Sequence, residues 1–208
     1  MTRAALFFLL LTVTAFAQYS VEPAGAPPAE LSPDMIAALS PEGHKIVASD
    51  GSVYAEVWFR NSSADTADTG ENEVSWNTVA HGTMIGAIRF PGEGADRRGQ
   101  VIQPGVYTLR FSFYPVDGAH QGVEPSRDFL ILSPAAIEKD PSATPSFEEL
   151  MNLSRKASGT PHPAALACWK AGDDWQAGLV EMGEDWVLNV KIGETNVSVI
   201  VKGVNAHG

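Results

Sequence analysis

The alternation of apolar and polar residues predicts β-strands along most of the chain. Between residues 53 and 60 the apolar side chains Val53, Ala55, Val57 and Phe59 occupy every second position. A period of two places one side of a strand in a core and the other side towards solvent. A second apolar run, residues 45–48, ends just before the turn residues Asp50 and Gly51. An Asp-Gly pair between two such runs predicts a β-hairpin.

Further strand-like runs continue to the end of the chain. They cover residues 74–79, 81–90, 106–114, 129–132, 164–169, 175–182, 186–192 and 197–204. Turns rich in Gly and Asp separate the last four runs. Short strands spaced by about ten residues favour a mainly β fold, and we predict an antiparallel β-sandwich of roughly eight or more strands. The predicted domain covers residues 44–208.

One short α-helix interrupts the strand pattern. Ser146 and Glu149 form the Ser-x-x-Glu signature of a capping box, and Arg155 and Lys156 lie where a last helical turn would be. We therefore predict a helix over residues 147–158. Earlier in the chain, the Pro-, Ala- and Glu-rich residues 18–43 predict a mobile linker, in which Ser32 can cap a short helix over residues 34–39.

The first 17 residues have the pattern of a secretory signal peptide. Arg3 precedes an apolar run over residues 4–13, and the small-x-small sequence over residues 15–17 is a cleavage site. We predict export to the periplasm or the extracellular space. No later run is long and apolar enough to cross a bilayer, so we expect no stable membrane insertion after cleavage.

Charge and cysteine content narrow the function classes. The chain has 14 Lys and Arg against 25 Asp and Glu, a formal net charge of −11. A surface this acidic repels nucleic acid. The single cysteine, Cys168, lies in the apolar run AALACW, which favours a buried structural thiol over a reactive one.

The loop at residues 115–128 carries the best candidate site. Asp117 lies three residues before His120, and Arg127 and Asp128 stand at the far end of the loop. A carboxylate and an imidazole in one loop can bind a ligand or a metal, and an arginine can hold a carboxylate. The alternative is structural: Asp117 caps a turn, and Arg127 ties the loop to the body of the protein.

Three histidines form a second candidate. His81, His120 and His162 each lie beside Gly or Pro or close to them, and three imidazoles would suit zinc or copper. No HExxH or CxxC motif supports a metal site, and structural hydrogen bonds are the more ordinary role of such histidines. No GxSxG motif points to a nucleophile. The five tryptophans fit core positions better than an exposed sugar-stacking face.

Four segments carry a family resemblance: GTMIGAIRFPG from residue 82, QPGVYTLRF from residue 103, DGAHQGVEPSRDFLIL from residue 117 and SFEELMNLSRKASGTPHP from residue 146. They resemble a family of exported bacterial proteins without an assigned activity, which implies export and a β-rich fold. The Pro-Gly turn before GVYTLRF is also similar to turns in prealbumin-like and carbohydrate-binding modules. That likeness implies a prealbumin-like or jelly-roll-like sandwich.

These observations favour a non-enzymatic exported protein without a cofactor. We predict that it binds a ligand or an envelope protein through the 115–128 loop, because no catalytic or cofactor motif is present. The alternative is a metal-binding protein or metal-dependent enzyme that uses the loop histidines with zinc or copper. A third hypothesis is an envelope protein with a structural role alone.

Overall fold

The computed structural model describes residues 19–116 and 126–203, which form one large antiparallel sheet with two helices. Ten strands make the sheet. They are β1 Tyr19–Pro23, β2 His44–Ala48, β3 Val53–Phe59, β4 Met84–Phe90, β7 Gly105–Phe113, β8 Asp128–Pro134, β9 Ala165–Lys170, β10 Gly178–Met182, β11 Asp185–Ile192 and β12 Thr195–Lys202. The two-residue strands β5 Gly94–Ala95 and β6 Val101–Ile102 form a separate hairpin. The helices are α1 Pro33–Ala38 and α2 Phe147–Ser158.

The sheet curls until it is nearly closed as a barrel. Its strand order is β1-β2-β3-β4-β7-β8-β9-β12-β11-β10. The two ends of this order meet where the rings of Tyr19 on β1 and Trp186 on β11 pack edge to face at 5.5 Å. The prediction of a mainly β, antiparallel fold is confirmed. The predicted sandwich is not, because the ten strands pair in a single sheet.

Alternation along each strand divides the core into an inner and an outer part. On β8, Leu130 and Leu132 belong to the main cluster inside the barrel, whereas Ile131 packs against α2 on the outside. Both leucines are fully buried. Strand β8 is therefore apolar on both faces, which explains its continuous apolar run over residues 129–132. Strand β7 instead alternates, with Tyr107, Leu109 and Phe111 inside the barrel and the buried polar residues Thr108, Arg110 and Ser112 on the other face.

A plug segment, residues 61–83, covers one end of the barrel. Trp76 is fully buried in the interior cluster, and its indole Nε1 donates to Asp65 Oδ1 at 2.9 Å. Asp65 also accepts from Thr195 at the start of β12. Burial alone would raise the pKa of Asp65, but hydrogen bonds from Thr195, Thr78 and Trp76 outweigh burial and lower that pKa.

The prediction of a strand over residues 74–79 is wrong. These residues form turns within the plug segment. Val74, Trp76 and Val79 point into the barrel, so their alternation reflects burial of a loop rather than strand pairing. The β5–β6 hairpin lies at the opposite end, where Tyr54 Oη accepts from Ala95 N at 3.2 Å.

The predicted linker contains a strand. Tyr19–Pro23 pairs antiparallel with β2, and Tyr19 and Val21 pack on the interior cluster. Composition misled the sequence prediction here, because Pro and Ala dominate only after residue 22. The short helix is confirmed: Ser32 caps α1 by accepting from Met35 N at 3.2 Å, and Met35 is fully buried.

Helix α2 is confirmed with the predicted bounds. Ser146 and Glu149 form both bonds of the capping box, and Gly159 ends the helix in the left-handed conformation at φ 68°. The helix packs on the outer face of β8 through Leu150 and Met151. At 12 residues α2 is the longer of the two described helices, and neither is long and apolar enough to cross a membrane.

The predicted structural role of Cys168 is confirmed. The thiol is fully buried inside the barrel, and this burial raises its pKa, with the nearby Asp128 carboxylate adding to the shift. Trp58 and Trp76 are buried, as expected of core tryptophans, and Trp169, Trp175 and Trp186 are half-buried.

Candidate functional site

A cleft of about 300 Å³ lies between α2 and the outer face of the sheet. Its sheet side is formed by Phe129 and Ile131 of β8 and Ala165 of β9. Its helix side is formed by Phe147 and Met151, one helical turn apart on α2. The same amphipathic spacing that docks α2 on β8 therefore also supplies one wall of the cleft.

The cleft is incompletely filled by the protein's own side chains. Phe147 remains 46% exposed although it belongs to the apolar face of α2. Phe129 and Ala165 are half-buried at the cleft. Leu130, the neighbour of Phe129, points into the barrel interior and is fully buried. An apolar concavity with this degree of exposure is the usual form of a small-ligand site.

Basic side chains border the apolar surface. Arg97 and Arg98 come from the β5–β6 loop, and Arg155 comes from the last turn of α2. His162 and Asp96 complete the polar border. The cleft is thus apolar in its body and mainly cationic at its edge, in a chain whose formal net charge is −11.

Asp96 fixes the position of Arg98. The Asp96 carboxylate is almost fully buried and accepts from the backbone N of Arg98 and of Gln100, each at 3.0 Å. The Arg98 Nη2 group donates to Asp96 Oδ2 at 2.7 Å and to Pro163 O at 3.1 Å. These bonds hold a partly exposed guanidinium at the border of the cleft.

A serine and a histidine meet at the cleft wall. Ser112 lines the cleft, and its Oγ lies 3.1 Å from His81 Nδ1. Burial lowers the pKa of His81 below its usual range, and the backbone at Ser146 and Pro145 offsets part of this shift. The His81 ring also packs on Phe113 and Phe147. Ser112 is only 1% exposed, so the pair is a wall element in this conformation rather than an accessible nucleophile.

Of the predicted loop residues, Arg127 and Asp128 are described. The fully buried Asp128 carboxylate accepts from Ser75 N at 3.0 Å, Ser75 Oγ at 2.5 Å and Trp76 N at 2.9 Å. Arg127 is 5% exposed and donates to the carbonyl oxygens of Tyr114 and Asn72. The two residues thus tie the start of β8 to the plug segment. For Arg127 this agrees with the structural alternative, which made no statement about Asp128. Their predicted role in ligand binding stays a prediction.

Asp117 and His120 lie outside the described residues. Tyr114 and Pro115, which precede them in the sequence, line the cleft. Of the predicted metal ligands, His162 lines the cleft and His81 packs on two lining side chains. Within residues 19–116 and 126–203, no three His, Cys, Asp or Glu side chains are grouped closely enough to hold a metal ion.

No protein-family model, curated protein or solved structure matches the chain. The resemblance to exported bacterial proteins therefore stays a prediction. The geometry of the cleft is the structural basis for inferring a function.

The sequence patterns did not indicate this cleft. They predicted the helix over residues 147–158 and the apolar strand over residues 129–132 as separate features, and Arg97 and Arg98 were not among the predicted site residues. Phe147 is the sequence feature that could have indicated the cleft. It is an aromatic residue in the first turn of α2, whereas Leu150 and Met151 already pack the helix on β8. The distance between these segments in the sequence hid their meeting in the fold.

Proposed function

We propose that the protein is an exported, non-enzymatic protein that binds a small apolar ligand in the cleft between α2 and the β8–β9 face. The observation that carries the proposal is the half-exposed apolar surface of that cleft. Its volume of about 300 Å³ is at the lower end of the range for small-ligand pockets, roughly 300–1,000 Å³. A ligand of this size would cover Phe147 and complete the packing of α2.

The loop at residues 115–128 contributes to ligand binding in this proposal. Tyr114 and Pro115 line the cleft just before that loop, and Arg127 anchors its far end through two bonds to Tyr114 O. The described residues on the two sides of residues 117–125 are thus joined to each other at the cleft through Tyr114. Contacts from Asp117 and His120 to the ligand remain a prediction.

Binding is tested with a neutral fluorescent probe, N-phenylnaphthylamine, whose emission rises in apolar surroundings. We expect saturable binding of about one probe per chain. Ala165→Phe, which fills the cleft from β9, should weaken binding at least about tenfold. Ala136→Phe adds the same ring at an exposed position outside the cleft and should have no effect. Absence of saturable binding, or equal binding by all three proteins, would refute the proposed function.

Export rests on the signal-peptide pattern of residues 1–17 and on the family resemblance. The matching experiment is expression of the full chain in a bacterial host, followed by mass spectrometry of the exported fraction. We expect a processed chain that begins at Gln18. Recovery of the unprocessed chain in the cytoplasm alone would contradict export.

A metal-binding function is the second candidate. It is favoured by one observation: His81 and His162 both lie at the same cleft, from which the chain leads towards His120. The described residues do not by themselves supply enough ligands, so a site would require His120 or Asp117. Elemental analysis of untagged protein decides the question: about one zinc or copper per chain, lost in His162→Ala, would support this candidate, and metal-free protein after growth with both metals would reject it.

A further inference from the structure

We propose that the ligand of the cleft is an anionic amphiphile, a single apolar chain that ends in one carboxylate, with the carboxylate bound at Arg155 and Arg98. This inference rests on the proposed function, because it assigns a chemical class to the ligand of the same cleft. It is carried by the placement of the basic side chains and by their hydrogen-bond partners.

The charge at the cleft is opposite to the charge of the chain. Three arginines line the cleft. Arg97 pairs with Asp185 and Arg98 with Asp96, so the positive excess comes from Arg155, whereas acidic residues exceed basic ones in the whole sequence. A local cationic border on an acidic protein attracts small anions while the overall charge repels large polyanions. The arrangement therefore selects against nucleic acid and for a ligand with a single anionic group.

Arg155 is the arginine best placed to receive that group. Its Nε donates to Pro161 O at 2.8 Å and its Nη1 donates to Asn152 Oδ1 at 2.6 Å. Both acceptors are neutral, and among the described residues no carboxylate lies within ion-pair distance of Arg155. The guanidinium is thus held in place with its charge uncompensated and with further N–H donors available.

Arg98 differs from Arg155 in having an acidic partner. Its ion pair with Asp96 at 2.7 Å neutralises most of its charge, but the side chain is 43% exposed. The backbone bonds that fix Asp96 also fix Arg98, so its exposed edge is pre-organised at the border of the cleft. A fixed donor and an uncompensated guanidinium on the border of the same cleft suit the two oxygens of a carboxylate.

The apolar body of the cleft defines the rest of the ligand. Phe129, Ile131, Phe147 and Met151 offer aromatic and aliphatic contacts without an ionised group among them. Met151 has the flexible thioether that accommodates chains of different shape. A short or medium alkyl chain fits both this lining and the volume of about 300 Å³.

The experiment compares three probes of equal chain length by isothermal titration calorimetry: octanoate, octanol and octylamine. We expect octanoate to bind at least about tenfold more tightly than octanol, since the carboxylate adds charge-assisted hydrogen bonds. Octylamine should bind most weakly. Raising the salt concentration should weaken octanoate binding and leave octanol binding unchanged.

Variants locate the anionic group. Arg155→Gln should reduce the affinity for octanoate at least about fivefold, and Lys156→Gln should leave it unchanged. Lys156 is the matched control, because it lies in the same last turn of α2 but does not line the cleft. Unchanged octanol binding by Arg155→Gln shows that the cleft remains intact in that variant.

The outcomes separate the two proposals. If octanoate binds no better than octanol, or if both variants weaken it equally, the anionic-ligand inference is overturned while the proposed function stands. If neither these probes nor N-phenylnaphthylamine binds, the proposed function fails and the inference fails with it.

Discussion

The barrel interior and the outer cleft are both apolar, but only the interior is filled. Adjacent residues on β8 show the difference: Leu130 points inwards and is fully buried, whereas Phe129 points outwards and is half-buried at the cleft. Inside, the strands and the plug segment bury most side chains of the main cluster. On the outer face of β8 and β9, the 12-residue helix α2 covers a wider apolar surface than it can fill.

This difference separates residues that hold the fold from residues available for binding. An apolar side chain in a filled region contributes to stability through burial and packing. The same side chain at an unfilled surface contributes less to stability. Its remaining exposed apolar area can be buried by a ligand and so contribute to the free energy of binding. Substitutions in the two regions should therefore affect different measurements.

The largest effect is expected from matched truncations on β8. Leu130→Ala should lower the free energy of unfolding by about 2–5 kcal/mol, because it leaves a cavity in a filled core. Phe129→Ala should lower it by less than about 2 kcal/mol, although it removes more atoms. Urea unfolding measures both. An equal or larger loss for Phe129→Ala would break the comparison.

The next effect concerns a buried polar group of the interior. Asp128→Ala should lower the free energy of unfolding by about 3 kcal/mol, because it leaves three donors of Ser75 and Trp76 without an acceptor. Asp68→Ala is the control: Asp68 accepts from Gly70 N in an exposed part of the same segment and should matter little. Folded Asp128→Ala should still bind octanoate normally; a selective loss of binding would assign Asp128 to the site.

A smaller effect is expected at the helix that forms one wall of the cleft. Ser146→Ala removes one half of the capping box and should cost about 1 kcal/mol. The substitution should destabilise α2 more than the strands of the barrel. The rate of amide hydrogen exchange should therefore rise in α2 and stay unchanged in β7. Uniform exchange changes across both elements would show that α2 and the barrel unfold as one unit.

The smallest expected effect is the pH dependence of protein stability caused by His81, which lies at the wall between the cleft and the barrel. Burial lowers the pKa of His81 in the folded protein below its ordinary value of 6.5. Below pH 6.5 the imidazole of His81 is protonated in the unfolded chain but still neutral in the folded protein. The free energy of unfolding therefore falls as the pH drops. His44 is shifted in the same direction by burial. His81→Gln should reduce the loss of Tm on acidification, and an unchanged pH profile would contradict the assignment to His81.

Local signals in the sequence predicted local structure well. The capping box defined α2 to the residue, and Ser32 marked the start of α1, because caps are encoded within four positions. Strand existence was also predictable from alternation and turns. The arrangement of strands was not, since the same alternation fits two facing sheets or one curled sheet. The choice depends on pairing between distant segments, such as β8 with β9 and β9 with β12, which joins the two halves of the chain in one sheet.

Candidate sites were harder to predict because they depend on contacts between distant segments. The loop containing Arg127 and Asp128 attracted attention through its polarity, yet both described residues are buried and bonded to the plug segment. The cleft, by contrast, joins Arg98, Phe129 and Phe147 from three separate elements. No periodicity within one element encodes such a meeting.

The incomplete closure of the sheet has a consequence for how the chain reaches its native state. Strands β1 and β10 are separated by about three quarters of the chain, so the loop-closure entropy of bringing them together is among the largest in the fold. We therefore expect β1 and β10 to approach each other late, after the hairpins around β7 and β11 have formed. Because β1 and β10 stand at the two ends of the strand order, each has one edge without a strand partner in the described sheet, and a second unfinished chain can add to either edge. Nascent molecules are consequently most vulnerable to aggregation at these two strands, the shortest in the sheet at five residues each together with β2, and their shortness limits that hazard.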